Sequence, residues 1–327
     1  MRACWLVTML GMILVGLFFL EGCGLSGWAI RKWGEPQYQS YQIDARNLAV
    51  FTHPRQRFDY TAQGIDAALS LAGDRAASTD RPLIVFIHGR GKHPEKAFGD
   101  DPETGLDILV QMRTRYSAEV LMVHWPSWLD VMGYPSLNAR EAGPHLQLLF
   151  ERLYHFRDTG GAAGTRPLTL FVHSMGNQLL SSYMEDYPGN AHGRQPLFET
   201  LILNAPDVDL EDHGQWVERI DFVGRIFILL NTDKDRLLQL SSYLWQKPRL
   251  GRQLHHADHR PEPLAKNADY VDLVHLGVNH DYFYGETLPP SLVEFYRRAI
   301  STSADPLGTP GLSAGDRDRL HLLRAPN

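Results

Sequence analysis

Cysteine is nearly absent from this chain. Of 327 residues only Cys4 and Cys23 are cysteines, and both lie close to the amino terminus. No pair is left to staple the rest, so the bulk of the chain must hold by packing alone. Runs of basic residues are missing as well: 32 Lys and Arg are scattered among 38 Asp and Glu, for a net charge of -6. Without a basic stripe to track a phosphate backbone, nucleic acid is excluded as an expected partner. The G-x-x-x-x-G-K-[S/T] spacing of a phosphate-cradling loop is absent too, and no internal repeat is visible. What the chain does have is length and apolar content: 43% hydrophobic residues over 327 positions allow one large domain or two small ones with a real core.

Charge is also lacking from Ala3 to Leu20, with Arg2 before the run and Glu21 after it. An uncharged run of this kind behind a basic start reads as an export signal. The next residues, Leu20-Glu21-Gly22-Cys23, resemble the bacterial lipobox, with Glu21 where a small or apolar residue is usual. That resemblance implies lipidation of Cys23, with palmitate-like chains, and a lipoprotein of the cell envelope facing outside the cytoplasm. An uncleaved membrane helix is the competing reading, since eighteen residues are at the short end of what spans about 30 Å of hydrocarbon; a soluble secreted protein is the third. Two acyl signals or one helix would tether the chain stably, whereas a single acyl chain would not. Residues 24–45 read as a tether, 46–300 as the folded domain and 301–327, with "TSADPLGTPGLSAGDRDR", as a flexible solvated tail.

Within the domain, short apolar runs alternate with helix-length segments. "PLIVFIHG", "EVLMVHWPS", "PLTLFVHS", "LFETLILNAP", "GRIFILLNTD" and "YVDLVHLGV" read as strands. Helical spacing appears in "TGLDILVQMRTRY" and in "SLNAREAGPHLQLLFERLYHF", where Gly143-Pro144 should break the helix, and near 177–187, 210–220, 237–245 and 290–300. The pattern predicts a mostly parallel, doubly wound α/β sheet flanked by helices. Functional groups in such sheets gather beyond the C-terminal strand ends, and each apolar run here ends on polar or glycine-rich residues.

"FVHSMGN" holds the first candidate. A strand precedes Ser174, Gly176 follows where a helix must approach closely, and a helix starts near Asn177. The G-x-S-x-G pattern of a nucleophile elbow nevertheless has Val172 in place of its first glycine, and a buried serine capping a helix would read the same way. A serine needs a base, and the base a carboxylate to hold its tautomer. His280, after the last strand, is the expected base. Asp235 is the first choice for the acid, with Asp207, Asp209 and Asp233 open as alternatives; a plain helix N-cap would equally explain Asp235. The oxyanion donors are expected at the backbone N–H of Met175 and of Arg90, with Gly89 the alternative. His255, His256 and His259 could suggest a metal site, but the segment reads as an irregular, proline-flanked loop, so no metal and no organic cofactor is expected. His275 falls inside the last strand. Trp125, Trp128, Tyr134, Tyr282 and Tyr284 stand near strand ends as candidate walls of an acyl pocket.

With His88-Gly89, Trp125-Pro126-Ser127, "VHSMGN", "APD", "TDKDRLL" and His280 in this order, the chain resembles the α/β-hydrolase fold over roughly residues 80–300, and within it the bacterial branch of α/β-hydrolases of unknown function. The resemblance implies Ser174 as nucleophile, Asp235 as acid and His280 as base, in a branch that accepts a residue other than glycine two positions before the serine. The expected activity is hydrolysis of an ester or related acyl bond on a small or lipid-like acyl substrate, with transfer to another acceptor left open. A catalytically silent envelope lipoprotein of the same fold, acting as a binding or scaffold module, is the alternative. Oligomeric state is not legible.

Overall fold

The structure, a computed structural model, describes residues 46, 48–53, 56–91, 106–127, 135–189, 195–232, 234–285 and 287–325. The expected signal and tether at 1–45, with Cys23, therefore lie outside the described residues, as do Trp128, Tyr134 and Asp233.

Five buried residues in a row at Leu83–Ile87 (β3) and six at Leu168–His173 (β5) mark strands covered on both faces. They sit side by side in a ten-stranded sheet. From one edge the order is β2 (Gln56–Asp59), β1 (Ala49–His53), β4 (Glu119–His124), β3, β5, β6 (Phe198–Asn204), β7 (Val223–Leu230), β8 (Ala268–Asp272), β10 (Leu320–Leu323) and β9 (Leu312–Ala314). The strands from β4 to β10 in that order run parallel, and only β1, β2 and β9 are antiparallel to their neighbours.

Successive side chains on a strand point to opposite faces. Leu83, Val85 and Ile87 accordingly join one core with α1 (Ala62–Ser78), α4 (Leu146–Thr159) and α6 (Gly176–Glu185), while Ile84 and Phe86 join a second with α2 (Leu106–Tyr116) and α9 (Pro290–Ser301). α3 (Ser136–Ala142), a short α5 (Gly161–Gly164), α7 (His213–Val217) and α8 (Arg236–Trp245) complete the helices among the described residues. The break expected at Gly143-Pro144 is present as a 3-10 turn between α3 and α4. A Cβ on Gly143 would stand 2.7 Å from the Leu179 carbonyl, so glycine here lets α6 pack against the bend.

Three expectations need correction. The stretch from 301 onward is not a solvated tail: β10 pairs with β8, β9 pairs with β10, and Leu323 is buried in the second core. These strands are too short to announce themselves among glycines and charges. β8 stops at Asp272, whose carboxylate accepts from Thr232 N–H and Val274 N–H, each at 3.0 Å, and turns the chain. His275 thus lies exposed in the following turn, not in a strand. The segment 250–265 is not irregular either, since His256 N–H donates to the Arg260 carbonyl at 2.8 Å and Glu262 N–H to that of Leu254 at 3.1 Å.

Candidate active site

β5 delivers the chain to Ser174, which turns with φ +51° before α6 begins at Gly176. A left-handed serine costs about 1–3 kcal/mol and persists only where its surroundings fix it. Here they do. Ser174 N–H donates to the Asn204 carbonyl at 2.9 Å, and the Ser174 carbonyl accepts from Asn177 N–H and Asp207 N–H, each at 3.1 Å, and from Asn177 Nδ2 at 2.9 Å. Gly176 is obligatory in this packing: a Cβ there would meet the His88 and Ile87 carbonyl oxygens at 2.7 and 2.9 Å. Val172, the departure from the elbow pattern, lies in β5 between Ile87 and Leu203, with its side chain in the first core. Between residues 172 and 176 only Ser174 has a positive φ, so the missing glycine is filled by ordinary sheet packing.

His280 and Asp235 meet this serine. His280 Nε2 is 2.9 Å from Ser174 Oγ and His280 Nδ1 is 2.7 Å from Asp235 Oδ2. Asp235 follows β7 and is the N-cap of α8, where its Oδ1 accepts from Leu238 N–H at 2.9 Å. The two roles weighed for Asp235 therefore coexist on its two oxygens. Burial would lower the His280 pKa, but the hydrogen bond and charge of Asp235, with Asp281 and Asp207 further off, outweigh it and raise the value above that of a free histidine. Asp207 is buried against other partners, accepting from Ser241 Oγ at 2.6 Å with Arg249 Nε at 3.4 Å. Asp209 pairs with Arg249 and Lys247, each at 2.6 Å. Neither is on His280 Nδ1.

The glycine loop after β3 faces the elbow. Gly89 stands so close that a Cβ would lie 2.8 Å from that of Ser174. Neighbouring side chains hold the loop: Trp125 Nε1 donates to the His88 carbonyl at 2.8 Å, Gly91 N–H donates to Ser127 Oγ at 2.9 Å, and Asn138 Nδ2 ties the Pro126 carbonyl at 2.8 Å. His88 Nδ1 reaches the Gly89 carbonyl at 2.7 Å, and burial holds this histidine neutral by lowering its pKa to about 4. In a trans peptide the C=O and the next N–H point oppositely. The Gly89 carbonyl faces the His88 ring, so Arg90 N–H is directed away from it.

Beside this set runs a second polar chain that sequence reasoning missed. Tyr296 Oη donates to Asn204 Oδ1, Asn204 Nδ2 lies 3.2 Å from His173 Nδ1, and His173 Nε2 is 3.5 Å from Asp281 Oδ1. Burial lowers the His173 pKa, and the His173 ring stands 4.9 Å from that of His280. His173, His280 and Asp281 are the one trio of metal-type ligand atoms that converges among the described residues, but each is engaged in these hydrogen bonds and pairs. The earlier trio does not converge: His255 and His259 stack at 6.0 Å while His256 turns to Glu262. The signal for the missed chain was the polar residue closing each buried strand, His173 on β5 and Asn204 on β6.

The aromatic candidates divide. Trp125 is fully buried as the loop clamp, whereas Tyr282, although buried with its hydroxyl on the Leu229 carbonyl at 2.9 Å, contributes to the lining of the cleft beside Tyr284. Tyr284 is partly exposed and lines a cleft with Asp281 and Leu288.

The family described as "Alpha/beta hydrolase of unknown function (DUF900)" matches residues 67–292, more than half of the chain. No curated protein matches. Solved structures similar to the chain include a PEG-bound cold-adapted esterase from an Arctic intertidal metagenomic library (13% identity, 67% of this chain and 83% of that one, TM-score 0.37). Others are esterase PE8 (15%, 67% and 93%, 0.36) and LpqC, a poly(3-hydroxybutyrate) depolymerase from Bordetella parapertussis (19%, 67% and 80%, 0.35).

Proposed function

Because the chain belongs to this family of α/β-hydrolases of unknown function, we propose that it is a serine hydrolase cleaving an ester or related acyl bond through an acyl-enzyme. Ser174 Oγ attacks the acyl carbonyl carbon while His280 Nε2 takes its proton. Asp235 keeps the other imidazole proton on Nδ1 and stabilises the imidazolium. The oxyanion is held by the N–H groups of Met175 and Arg90. As the tetrahedral intermediate collapses, the bond to the leaving group breaks and His280 returns the proton to it. Water then adds to the acyl-enzyme with His280 as base, and the acid departs with Ser174 restored. An alcohol or amine in place of water would make the same enzyme a transferase. The reaction as written needs no metal and no organic cofactor.

The observation that carries this reading is the unbroken line Ser174 Oγ, His280 Nε2, His280 Nδ1, Asp235 Oδ2, with links of 2.9 and 2.7 Å. A fluorophosphonate probe should label the protein at Ser174, and Ser174→Ala should abolish the label. Persistent labelling of that variant overturns the assignment. Absence of labelling and of short-ester hydrolysis in the wild type favours instead the silent binding module.

The uncharged run 3–20 and the lipobox-like end at Cys23 support a domain tethered to the membrane outside the cytoplasm. Incorporation of labelled palmitate that disappears in Cys23→Ser tests the lipid anchor; retention of membrane association without label points to an uncleaved helix.

A further inference from the structure

We propose that the outward face of α8 docks onto an anionic lipid bilayer and holds the Ser174 site against the membrane surface. The inference deepens the tethered reading above and rests on its tether.

Among the described residues the large hydrophobic side chains left exposed are Val110, Leu237, Leu240 and Tyr243, at 44%, 53%, 53% and 41%. Three of the four lie on the ten residues of α8. At 3.6 residues per turn, positions 237, 240 and 243 share one side over an arc of about 120°. Leu238 and Ser241 turn the other side into the domain. A surface helix normally shows polar residues outward, so an outward apolar side asks for a covering partner.

The charges select an anionic surface. Lys234 and Arg236 are exposed at the start of α8 and Lys247 is exposed just past its end, where it also pairs with Asp209. Asp235, the acidic residue described between 234 and 247, is buried in the site. An apolar strip flanked by cations at both ends suits the headgroup boundary of an anionic leaflet. A second copy of the chain suits it less. Antiparallel pairing of two such helices would bring Lys234 and Arg236 of one against Lys247 of the other.

Chain connectivity supplies the orientation. β1 is antiparallel to β4, and Ala49 stands opposite His124, the last residue of β4. The chain therefore enters the sheet at the edge where β5 ends in the elbow and β7 leads to Asp235. Residues 24–45, at about 3.5 Å each, reach at most about 75 Å from an anchor. Such a tether keeps the domain within that distance of the membrane and starts from the edge that carries the site and α8.

The test uses the full chain carrying an environment-sensitive fluorescent amino acid at position 240, or at position 110 as an exposed control off α8. Vesicles are phosphatidylethanolamine with about one third phosphatidylglycerol and brominated acyl chains. Burial of 5–10 Å into the headgroup boundary should quench roughly half of the emission at 240 and little at 110. In Lys234→Glu/Arg236→Glu the quenching at 240 should fall several-fold. Equal quenching at 240 and 110, or quenching indifferent to the charge reversal, overturns the proposal. So does a blue shift at 240 that grows with protein concentration without vesicles, which assigns the face to self-association. Flotation with vesicles reads the tether and fluorophosphonate labelling reads the serine. A chain that floats and labels without quenching at 240 removes docking alone. A chain that does not float removes tether and docking together.

Discussion

Asp235 serves His280 and its own helix with one carboxylate: Oδ2 lies 2.7 Å from His280 Nδ1 while Oδ1 caps α8 on Leu238 N–H at 2.9 Å. The residue proposed to orient the base is thereby fixed by the backbone it terminates. Asn can cap a helix about as well as Asp, but it cannot hold the imidazolium. Asp235→Asn should therefore fold with a melting temperature within a few degrees of wild type and lose roughly 10³–10⁴ in kcat. Asp235→Ala should lose about 1 kcal/mol of cap stability as well, read by urea unfolding.

The direction of the His280 shift predicts the pH profile. Desolvation lowers this pKa, yet the Asp235 hydrogen bond and charge, helped by Asp281 and Asp207, leave it raised. As the proposed proton acceptor His280 must be neutral, so kcat/KM should fall with decreasing pH through a midpoint above about 6.5. Asp281→Asn removes one of the raising charges and should move that midpoint downward. Stability runs the other way. A raised folded pKa contributes stability that is fully present below the unfolded value near 6.5 and lost as pH rises through the folded value.

The loop clamp predicts a variant that is folded but slow. Ser127→Ala takes the acceptor from Gly91 N–H, and a loosened loop would misplace the proposed oxyanion donor at Arg90. We expect about tenfold lower kcat on an activated ester, little change in KM, and a melting temperature close to wild type.

Gly89→Ala should be more severe at the site than in the fold. Its Cβ would press on Ser174 Cβ at 2.8 Å and on the His173 ring at 3.2 Å. Fluorophosphonate labelling should slow by about 5- to 150-fold, since overpacking of 1–3 kcal/mol falls directly on the proposed nucleophile. Gly176→Ala, which meets backbone oxygens instead, should lower the urea midpoint in addition.

Restoring the elbow glycine should harm this protein. Val172→Gly empties a fully buried core position and loosens β5. The loss is about 1.5–3 kcal/mol for the side chain plus 0.5–1 for the glycine. Faster turnover in this variant would show that Val172 obstructs the elbow.

The parallel centre of the sheet was legible because β3, β5 and β7 are near-continuous apolar runs, the pattern that burial on both faces demands. The antiparallel margins were not. β2 reads "QRFD", half outward, and β9 is three residues long, so neither carries enough apolar signal to separate it from a loop. At the site, chain order alone suggested Ser174 and His280, but it left four carboxylates for one place. What separates Asp235 from Asp207 is which side chains surround each, and Ser241 and Arg249 reach Asp207 from 34 and 42 positions away. The Tyr296–Asn204–His173 chain joins residues 92 and 31 positions apart, a proximity that only the folded sheet creates.

The left-handed turn at Ser174 has a bearing on timing. Its carbonyl and N–H are held by Asn177, Asn204 and Asp207, groups from three later stretches of chain. Until β6 and the loop beyond it have docked, only the local Asn177 bonds support the strained backbone, and the bonds from Asn204 and Asp207 that fix the turn are missing. Chain that is still being synthesised, or is held unfolded on its way to a destination, is in that condition. On the proposed mechanism the nucleophile therefore comes into being with the finished sheet, and the amount of covalent probe taken up should measure how much of a sample is native.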